Sequence, residues 1–313
     1  MNLRIILAGG SGFLGTELTR HLLAQKHSVA ILTRSPRLRT DGATETFWDA
    51  KSPGPWTSLV DGADVLVNLT GRPVNCRHTE ANRALLMSSR VDSTRLLGEV
   101  IAGCVRPPRV WLNASSAAIY PSDTQQPVDE AAALAEPVLV RAGFLGEVTR
   151  QWELALFGAP APKTRKVALR ITLVLGRNGG VFPVLRRLAR FGLAGSLGGG
   201  MQYVSWIHLA DFLRAVDWIM TRTTLDGPVN LAAPNPVRNS EQMRALRAAC
   251  SMPIGLPATD WMIRVGAFLL RTEPGLLLES SRVLPGRLLA SGFEFQYPEL
   301  SEALSDLLRP SVS

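Results

Sequence analysis

Residues 3–15 read Leu-Arg-Ile-Ile-Leu-Ala-Gly-Gly-Ser-Gly-Phe-Leu-Gly, an apolar run that passes directly into a glycine turn. Residues 3–8 are apolar apart from one arginine, as expected of a parallel strand that is buried on both faces. Residues 16–25 carry leucines at helical spacing, and residues 28–33 predict a second strand. Strand, glycine turn, helix and strand therefore form a βαβ unit within the first 33 residues.

The glycine turn matches the dinucleotide fingerprint as GxGxxG and, starting one residue earlier, as GxxGxxG. Glycine permits the tight turn and lets the backbone approach a pyrophosphate, while the following helix offers unpaired N–H groups to phosphate. The alternative is a turn that only closes the connection between strand and helix. We predict a dinucleotide site that includes Gly9, Gly10, Ser11, Gly12, Phe13, Leu14 and Gly15.

The end of the second strand predicts which dinucleotide is bound. An NAD site usually places Asp or Glu there to accept a hydrogen bond from the ribose 2′-hydroxyl. This chain has Thr33 and Arg34 instead, and a guanidinium matches a 2′-phosphate. We therefore expect NADP(H) as the cofactor, with a solvated loop position for Arg34 as the alternative.

Strands and helices go on alternating along the chain, which predicts a Rossmann-type, doubly wound parallel sheet. Further strands are predicted at residues 64–69, 109–114 and 167–174, and helices at residues 80–102 and 145–157. The NAD(P)-binding domain is expected to cover residues 1–175.

The composition of the sequence changes at residue 176, where glycine-rich and basic segments begin. Residues 176–313 predict a small, loop-rich substrate lobe, with strands from residues 200–235 joining the sheet of the first domain. One of these strands is expected at residues 229–232. Helices are expected at residues 240–249, 260–270 and 299–308.

Composition indicates a folded, enzyme-like chain. Of the 313 residues, 46% are apolar and 19% charged, and the net charge of +8 comes from scattered arginines without a nucleic-acid recognition motif. No signal peptide is apparent, and the longest apolar stretch near the C-terminus, at 261–270, is too short for a membrane span. Cys76, Cys104 and Cys250 form neither a disulfide framework nor a metal motif, and no metal is expected. We expect a cytoplasmic monomer or homodimer that binds neither nucleic acid nor membrane.

These motifs together resemble the extended short-chain dehydrogenase/reductase superfamily, and within it the atypical branch called epimerase family proteins. The tail at residues 285–308 resembles DUF1731, the C-terminal domain of unknown function that marks the branch, which is expected to occupy about residues 255–305. Besides the glycine turn and the tail, the resemblance rests on Thr33-Arg34, Asn68-Leu69-Thr70-Gly71, Ser89-Arg90, residues 175–180 and Trp206-Ile207-His208.

The resemblance implies further cofactor contacts. Val67 and Asn68 would support the adenosine side, Arg83 and Ser88 would reach the cofactor from the following helix, and Leu173 would lie beside the nicotinamide. The family usually has an Arg-Trp pair where this chain has Arg77-His78. Leu69, Thr70 and Gly71, which directly follow Val67 and Asn68, complete the set of residues that we assign to the cofactor.

Ordinary members of the superfamily use Ser, Tyr and Lys, the tyrosine exchanging a proton with the substrate oxygen. None of the tyrosines Tyr120, Tyr203 and Tyr297 is followed four residues later by lysine, and the helix expected to carry the pair reads Phe-Leu-Gly-Glu-Val-Thr at residues 144–149. The resembled branch lacks the pair as well. A catalytic role here must therefore fall to other residues.

Ser115, Ser116 and Tyr120 follow a predicted strand at the position of the superfamily's substrate-binding serine. Tyr120 is a candidate proton donor, with either serine orienting a carbonyl. Alternatively, both serines bind backbone groups and Tyr120 packs under the cofactor. His208 is a further acid/base candidate, although a hydrogen-bonded structural role is the commoner one for such a histidine.

Two functions follow from these residues. The first is a reductase or epimerase-like enzyme that acts on a small carbonyl or sugar-nucleotide substrate held between Ser115, Tyr120 and the loops at residues 192–208. The second is a non-catalytic NADP(H)-binding sensor or partner-binding module. The cofactor-binding motifs are all present and the second lobe is rich in glycine, which favours the enzyme. The missing Tyr/Lys pair favours the non-catalytic alternative.

Overall fold

The computed structural model describes residues 2–122, 126–132, 142–269, 273 and 275–309. In chain order the strands are β1 (Arg4–Ala8), β2 (Ser28–Thr33), β3 (Thr44–Phe47), β4 (Val65–Asn68), β5 (Val110–Ser116), β6 (Arg165–Ile171), β7 (Leu173–Gly176), β8 (Gly179–Gly180), β9 (Tyr203–Val204), β10 (Trp206–His208), β11 (Gly227–Leu231) and β12 (Val237–Arg238).

Helices lie between these strands and follow the last of them. They are α1 (Phe13–Ala24), α2 (Thr57–Val60), α3 (Glu80–Ala102), α4 (Gly143–Phe157), α5 (Phe182–Arg190), α6 (Leu209–Thr221), α7 (Asn239–Ala249), α8 (Asp260–Leu269), α9 (Gly275–Leu278), α10 (Gly286–Ala290) and α11 (Leu300–Leu308). Among the described residues, none of these helices is long and apolar enough to cross a membrane.

The central sheet has seven strands in the order β11-β6-β5-β4-β1-β2-β3, and every pairing in it is parallel. The chain runs outward from β1 to β3, returns to β4 on the other side of β1, and then proceeds to β5, β6 and β11. The strand order thus reverses between β1 and β4, where open α/β sheets bind their ligands at the carboxyl ends of the strands. The predicted Rossmann-type parallel sheet is confirmed.

Strand β1 shows why its sequence is a continuous apolar run. Ile5 and Leu7 pack in the apolar core on one face of the sheet, and Ile6 and Ala8 pack in the core on the other. Side chains alternate between the two faces of a strand, so a sheet covered by helices on both sides needs apolar residues at every position. The βαβ unit predicted from residues 3–33 is present with nearly the predicted bounds.

The single strand predicted at residues 167–174 is wrong, because the chain forms two strands there. β6 ends at Ile171 and β7 begins at Leu173. Between them the Thr172 hydroxyl donates a hydrogen bond to the Leu231 carbonyl at 2.8 Å, and β7 leaves the central sheet to pair with β10. Apart from Arg170, residues 167–174 are apolar or β-branched, so the sequence pattern does not mark the break at Thr172.

The loop-rich character predicted beyond residue 176 is also partly wrong, since α5 and α6 lie there. In α5 the buried residues are Phe182 and Ala189, and the arginines stand on the more exposed side. In α6 the buried apolar residues Phe212, Ala215, Val216 and Ile219 recur at helical spacing. The basic segment is thus the polar face of an amphipathic helix.

Residues beyond 176 are interleaved with the first domain. β11 completes the central sheet beside β6, while β7, β8 and β10 form a separate three-stranded sheet. A further apolar core joins α5, α7 and α11 around Phe182, Trp206 and Met243. The domain boundary at residue 175 stays a prediction.

Candidate functional site

The glycines of the turn have different physical roles. Gly9 adopts φ +74°, and a Cβ there would lie 2.8 Å from the Thr70 backbone nitrogen. A Cβ on Gly15 would lie 2.5 Å from the Cα of Gly10, so these two glycines let α1 pack closely on the turn. A Cβ on Gly12, the N-cap of α1, would meet no protein atom within 4 Å. The open space in front of the helix N-terminus is the position where a pyrophosphate fits.

The Phe13 ring occupies the space that the glycines at residues 176–180 leave open. It packs against Gly176 and Gly179, and a Cβ on Gly176 would lie 2.5 Å from the ring. The glycines at residues 176–180 therefore admit the first aromatic residue of α1 rather than a ligand. Contact between Phe13 and the cofactor stays a prediction.

A hollow of about 490 Å³ lies at the end of β2, on one side of the glycine turn. The structure brings the predicted residues Ser11, Thr33 and Arg34 together in it, and adds residues that sequence analysis missed. The full lining is Ser11, Thr16, Thr33, Arg34, Ser35, Arg37, Leu38, Arg39 and Glu45.

The charges in this hollow favour an anion. Its one acid, Glu45, is paired with Arg39 at 3.0 Å and accepts a 2.8 Å hydrogen bond from the Arg37 backbone nitrogen. Arg39 also binds Asp41 and lowers the pKa of that carboxyl. Arg34 is exposed, and no carboxylate of the described residues pairs with it. Its guanidinium therefore remains available for a phosphate. The clustering of three arginines within residues 34–39 was the sequence signal.

A larger cleft of about 670 Å³ lies on the other side of the turn, at the carboxyl ends of β4, β5 and β6. It extends to α4 and to a segment of the C-terminal region. Eight of the predicted site residues line it, four near the glycine turn and the others deeper in the cleft. They are Leu14, Leu69, Thr70, Gly71, Ser115, Ser116, Tyr120 and Leu173.

Val67 and Asn68 lie behind this wall. Val67 is fully buried in the core, and so is Asn68. The Asn68 side-chain amide donates to Asn113 Oδ1 at 2.7 Å and to Thr94 Oγ1 at 3.2 Å, while its oxygen accepts from the Thr70 backbone nitrogen at 3.0 Å. Asn68 therefore holds Thr70 in place, and contact of these two residues with the cofactor stays a prediction.

Neither Arg83 nor Ser88 lines the cleft. Arg83 donates to the His78 carbonyl at 2.9 Å, and its guanidinium lies 4.8 Å from the centre of the Phe144 ring. The His78 ring meets the Phe144 ring edge-on, with 5.3 Å between the ring centres. His78 packs in this way where the family usually has a tryptophan. The cofactor contacts assigned to Arg83 and Ser88 stay predictions.

Arg90 is the residue of α3 that lines the cleft, and sequence analysis did not assign it a role. Its guanidinium donates to the carbonyls of Leu86 and Arg72, each at 3.0 Å, and lies over the Trp152 ring at 5.3 Å. Burial lowers the pKa of Arg90 to about 10. The Ser89-Arg90 motif was the available signal.

The hydroxyls of the catalytic candidates are engaged within the protein. Ser115 donates to Glu153 Oε1 at 2.6 Å, and Ser116 accepts from the Ala118 backbone nitrogen at 3.1 Å. Tyr120 is 5% exposed, and burial raises its pKa. Its hydroxyl accepts from Arg170 at 2.8 Å and donates to Asn230 at 3.0 Å. This geometry favours a positioning role for Tyr120, and its role as proton donor stays a prediction.

A buried ion pair holds these groups together. Arg170 Nε and Nη2 donate to the two oxygens of Glu153 at 2.9 and 2.8 Å. Both residues are buried, so Ser115, Glu153, Arg170, Tyr120 and Asn230 form one connected network beneath the cleft. A glutamate and an arginine within otherwise apolar segments were the sequence signal, but the pairing itself was not predictable.

His208 lies outside the cleft lining. Its Nδ1 accepts from the Ala210 backbone nitrogen at 3.1 Å and caps α6, while Nε2 faces Asp306 of α11 at 3.4 Å. The ring packs at a tilt against Tyr297, with 4.0 Å between the ring centres, and burial lowers the pKa of His208. The structural alternative for His208 is supported. Within the described residues, no group of three or more potential ligands could hold a metal ion.

The C-terminal segment contributes to the same cleft. Residues 279–283 line it together with Tyr203 and Ser205, to which they are hydrogen-bonded. The Ser281 nitrogen donates to the Tyr203 carbonyl at 2.8 Å, and the Ser205 hydroxyl donates to the Ser281 carbonyl at 2.7 Å. This contribution is not predictable from the sequence pattern, because it depends on pairing across more than seventy residues of chain.

Comparison with known proteins supports this assembly. A family model described as the NAD dependent epimerase/dehydratase family matches residues 5–232, and one described as a domain of unknown function (DUF1731) matches residues 258–307. Epimerase family protein SDR39U1 from Homo sapiens is 30% identical over 98% of this chain and 100% of its own length. Epimerase family protein SERP0438 from Staphylococcus epidermidis is 31% identical over 98% of this chain and 99% of its own.

A solved structure shows the same fold. The crystal structure of human SDR39U1 (isoform 2) with NADPH has a TM-score of 0.85 and 30% identity, and the match covers 97% of this chain and 99% of that one. The resemblance inferred from the sequence motifs is confirmed. The chain belongs to the NAD dependent epimerase/dehydratase family, and within it to the epimerase family proteins that carry a C-terminal DUF1731 domain.

Proposed function

We propose that this protein binds NADP(H) and uses it as a reductase or epimerase-type enzyme on a small carbonyl or sugar-nucleotide substrate. The observation that carries the proposal is the placement of two hollows on either side of one glycine turn. Ser11 lines the hollow that contains Arg34, and Leu14 lines the larger cleft. An extended dinucleotide that crosses the turn would reach both.

The residues fit each part of NADP(H). The space at Gly12 and the α1 N-terminus would receive the pyrophosphate, and Arg34 would receive the 2′-phosphate. Leu14 and Leu173 would flank the nicotinamide in the cleft. Bound NADP(H) supplies hydride to a carbonyl carbon or removes it from an alcohol carbon. The NADPH in the human SDR39U1 structure supports this choice of cofactor.

The substrate would occupy the rest of the cleft. Ser115 and Ser116 lie at its floor, and Tyr203 and Gln242 lie on the wall formed by the second half of the chain. The Ser116 oxygen accepts from Ala118, so its proton is free to be donated to a substrate oxygen. Ser116 is therefore the hydroxyl best placed to orient a carbonyl.

Gly12→Asp tests the cofactor site directly. Aspartate is a favoured N-cap and would meet no protein atom at Cβ, so the Tm should stay within about 2 °C of wild type or rise. Its carboxylate would occupy the pyrophosphate position, and calorimetric titration should show NADPH binding weakened by about 100-fold or more. Gly199→Asp, whose Cβ also meets open space, is the matched control and should bind as wild type. Unchanged NADPH binding in Gly12→Asp would contradict this site.

The alternative is a non-catalytic NADP(H)-binding sensor or partner-binding module. The observation that favours it is the engagement of the Tyr120 hydroxyl with Arg170 and Asn230. Loss of NADPH absorbance on adding a panel of aldehydes, ketones and nucleoside-diphosphate sugars, above the rate without protein, distinguishes the two functions. Turnover that falls in Ser116→Ala would assign that hydroxyl to the substrate.

A further inference from the structure

Arg90 places a guanidinium charge in the wall of the large cleft. It lies on α3, lines the large cleft and stacks on Trp152. Within the described residues, no carboxylate forms an ion pair with it. Arg90 is half-buried, and withdrawing a cation from water without a counter-charge has a cost that grows with its burial.

Arg170 shows how this chain builds a structural arginine. Its guanidinium is buried and engages both oxygens of Glu153, and this pairing raises its pKa. Burial shifts the pKa of Arg90 in the opposite direction. Two carbonyl acceptors hold the Arg90 side chain in place but leave its net charge uncompensated. Among the described residues Arg90 therefore has no counter-charge of the kind that Glu153 gives Arg170, and a bound anion would supply one.

Donors for an anion remain at this position. A guanidinium has five N–H bonds, and the two hydrogen bonds to Leu86 and Arg72 leave three of them. The Arg90 Cζ atom lies 3.3 Å from the Cβ position of Gly71, so the group sits against the end of β4. The neighbouring Thr70 also lines the cleft, and its buried Oγ1 has no hydrogen-bond partner in the described part of the chain.

We propose that Arg90 and Thr70 form an oxyanion-binding site in the wall of the cleft, which receives a phosphate or carboxylate group of the bound ligand. The site rests on the proposed function, because it makes the ligand of the cleft an anionic one. The oxyanion has two possible sources, the pyrophosphate of NADP(H) and an acidic group of the substrate. Both would pair with the guanidinium and accept the Thr70 hydroxyl.

Arg90→Met tests the site, because methionine keeps an unbranched side chain over Trp152 and removes the charge. Arg95→Met, at an exposed position of the same helix, is the matched control. Circular dichroism first establishes that each variant is folded. Arg90→Lys is the second variant and replaces Arg90→Met if the methionine variant does not fold. It keeps the positive charge but loses the planar guanidinium.

The two arms of the experiment separate the sources. Calorimetry measures the Kd for NADPH, which should rise about tenfold or more in Arg90→Met if the cofactor supplies the oxyanion. With NADPH saturating, inorganic phosphate at matched ionic strength should raise the Tm of wild type and Arg95→Met if the substrate supplies it, and this rise should be absent in Arg90→Met. An Arg90→Lys variant that retains part of the NADPH affinity, or part of the phosphate-induced rise in Tm, supports binding of the oxyanion by the positive charge at position 90.

An NADPH affinity within twofold of wild type, together with the same phosphate response in wild type and Arg90→Met, would overturn the oxyanion site. Wild-type protein that binds no NADPH would instead contradict the proposed function. The two failures are thus distinguishable in one set of titrations.

Discussion

Arg170→Met breaks the buried ion pair beneath the cleft and should be strongly destabilising. The substitution leaves Glu153 buried without its bidentate partner and removes the donor to the Tyr120 hydroxyl. Arg170 is 4% exposed and Glu153 7%, so solvent does not replace the lost contacts. The Ser115 hydroxyl, which donates to Glu153, would then be the principal remaining donor to that carboxylate.

The magnitude follows from this burial. Removing one partner of a buried pair costs about 3–5 kcal/mol, because an uncompensated charge remains. At about 2 °C of Tm per kcal/mol for a chain of this size, the Tm should fall by about 6–10 °C. Glu153→Leu combined with Arg170→Met removes both charges, so the double variant should be at least about 2 kcal/mol more stable than the sum of the two single changes predicts.

Differential scanning fluorimetry and urea unfolding of wild type, the two single variants and the double variant provide the cycle. Arg109→Met, whose ion pair with Asp64 is exposed, is the control and should cost about 1 kcal/mol or less. A Tm loss below about 2 °C in Arg170→Met, or strictly additive single effects, would refute the network as a stabilising unit.

Gly179→Ala should destabilise the protein by about 1–3 kcal/mol, because its Cβ would overlap the Phe13 ring, and thermal unfolding measures the loss. Wild-type stability in Gly179→Ala would show that Phe13 is not packed there. His208 has a pKa lowered by burial, so its contribution to stability is present above about pH 6.5 and is lost as the pH falls through the lowered pKa of the folded state. His208→Asn keeps the N-cap, and its Tm difference from wild type should shrink between about pH 7.5 and about pH 5; a difference that stays constant with pH would contradict this linkage.

The parts of the fold that the sequence predicts are those with local signals. Continuous apolar runs mark the parallel strands, and the glycine turn marks the entry to α1, because each pattern reports burial or steric need at its own position. Arg34 is predicted from an equally local signal, a basic residue at a position where an NAD site carries an acid, and the structure places it in the hollow at the end of β2. These signals require no knowledge of distant residues.

The rest of the site depends on long-range pairing. Ser115, Glu153 and Arg170 meet only when three separate elements of the sheet and helix layer assemble. The sequence does not distinguish Arg90 from the other arginines of a basic chain, and only the folded protein shows that no carboxylate of the described residues pairs with it. The break at Thr172 is likewise decided by a hydrogen bond to β11.

In the proposed cofactor site, Arg34 is the residue that would distinguish NADPH from NADH. Calorimetric titration of wild type, Arg34→Ala and the surface control Arg20→Ala with NADPH and NADH tests it directly. We expect wild type to prefer NADPH. Arg34→Ala should lose about tenfold in NADPH affinity and keep its NADH affinity, because a charge-assisted hydrogen bond in a partly exposed hollow contributes about 1.4 kcal/mol to binding. Equal affinities for the two dinucleotides in wild type, or NADPH binding that is insensitive to Arg34→Ala, would contradict the binding of a 2′-phosphate by Arg34.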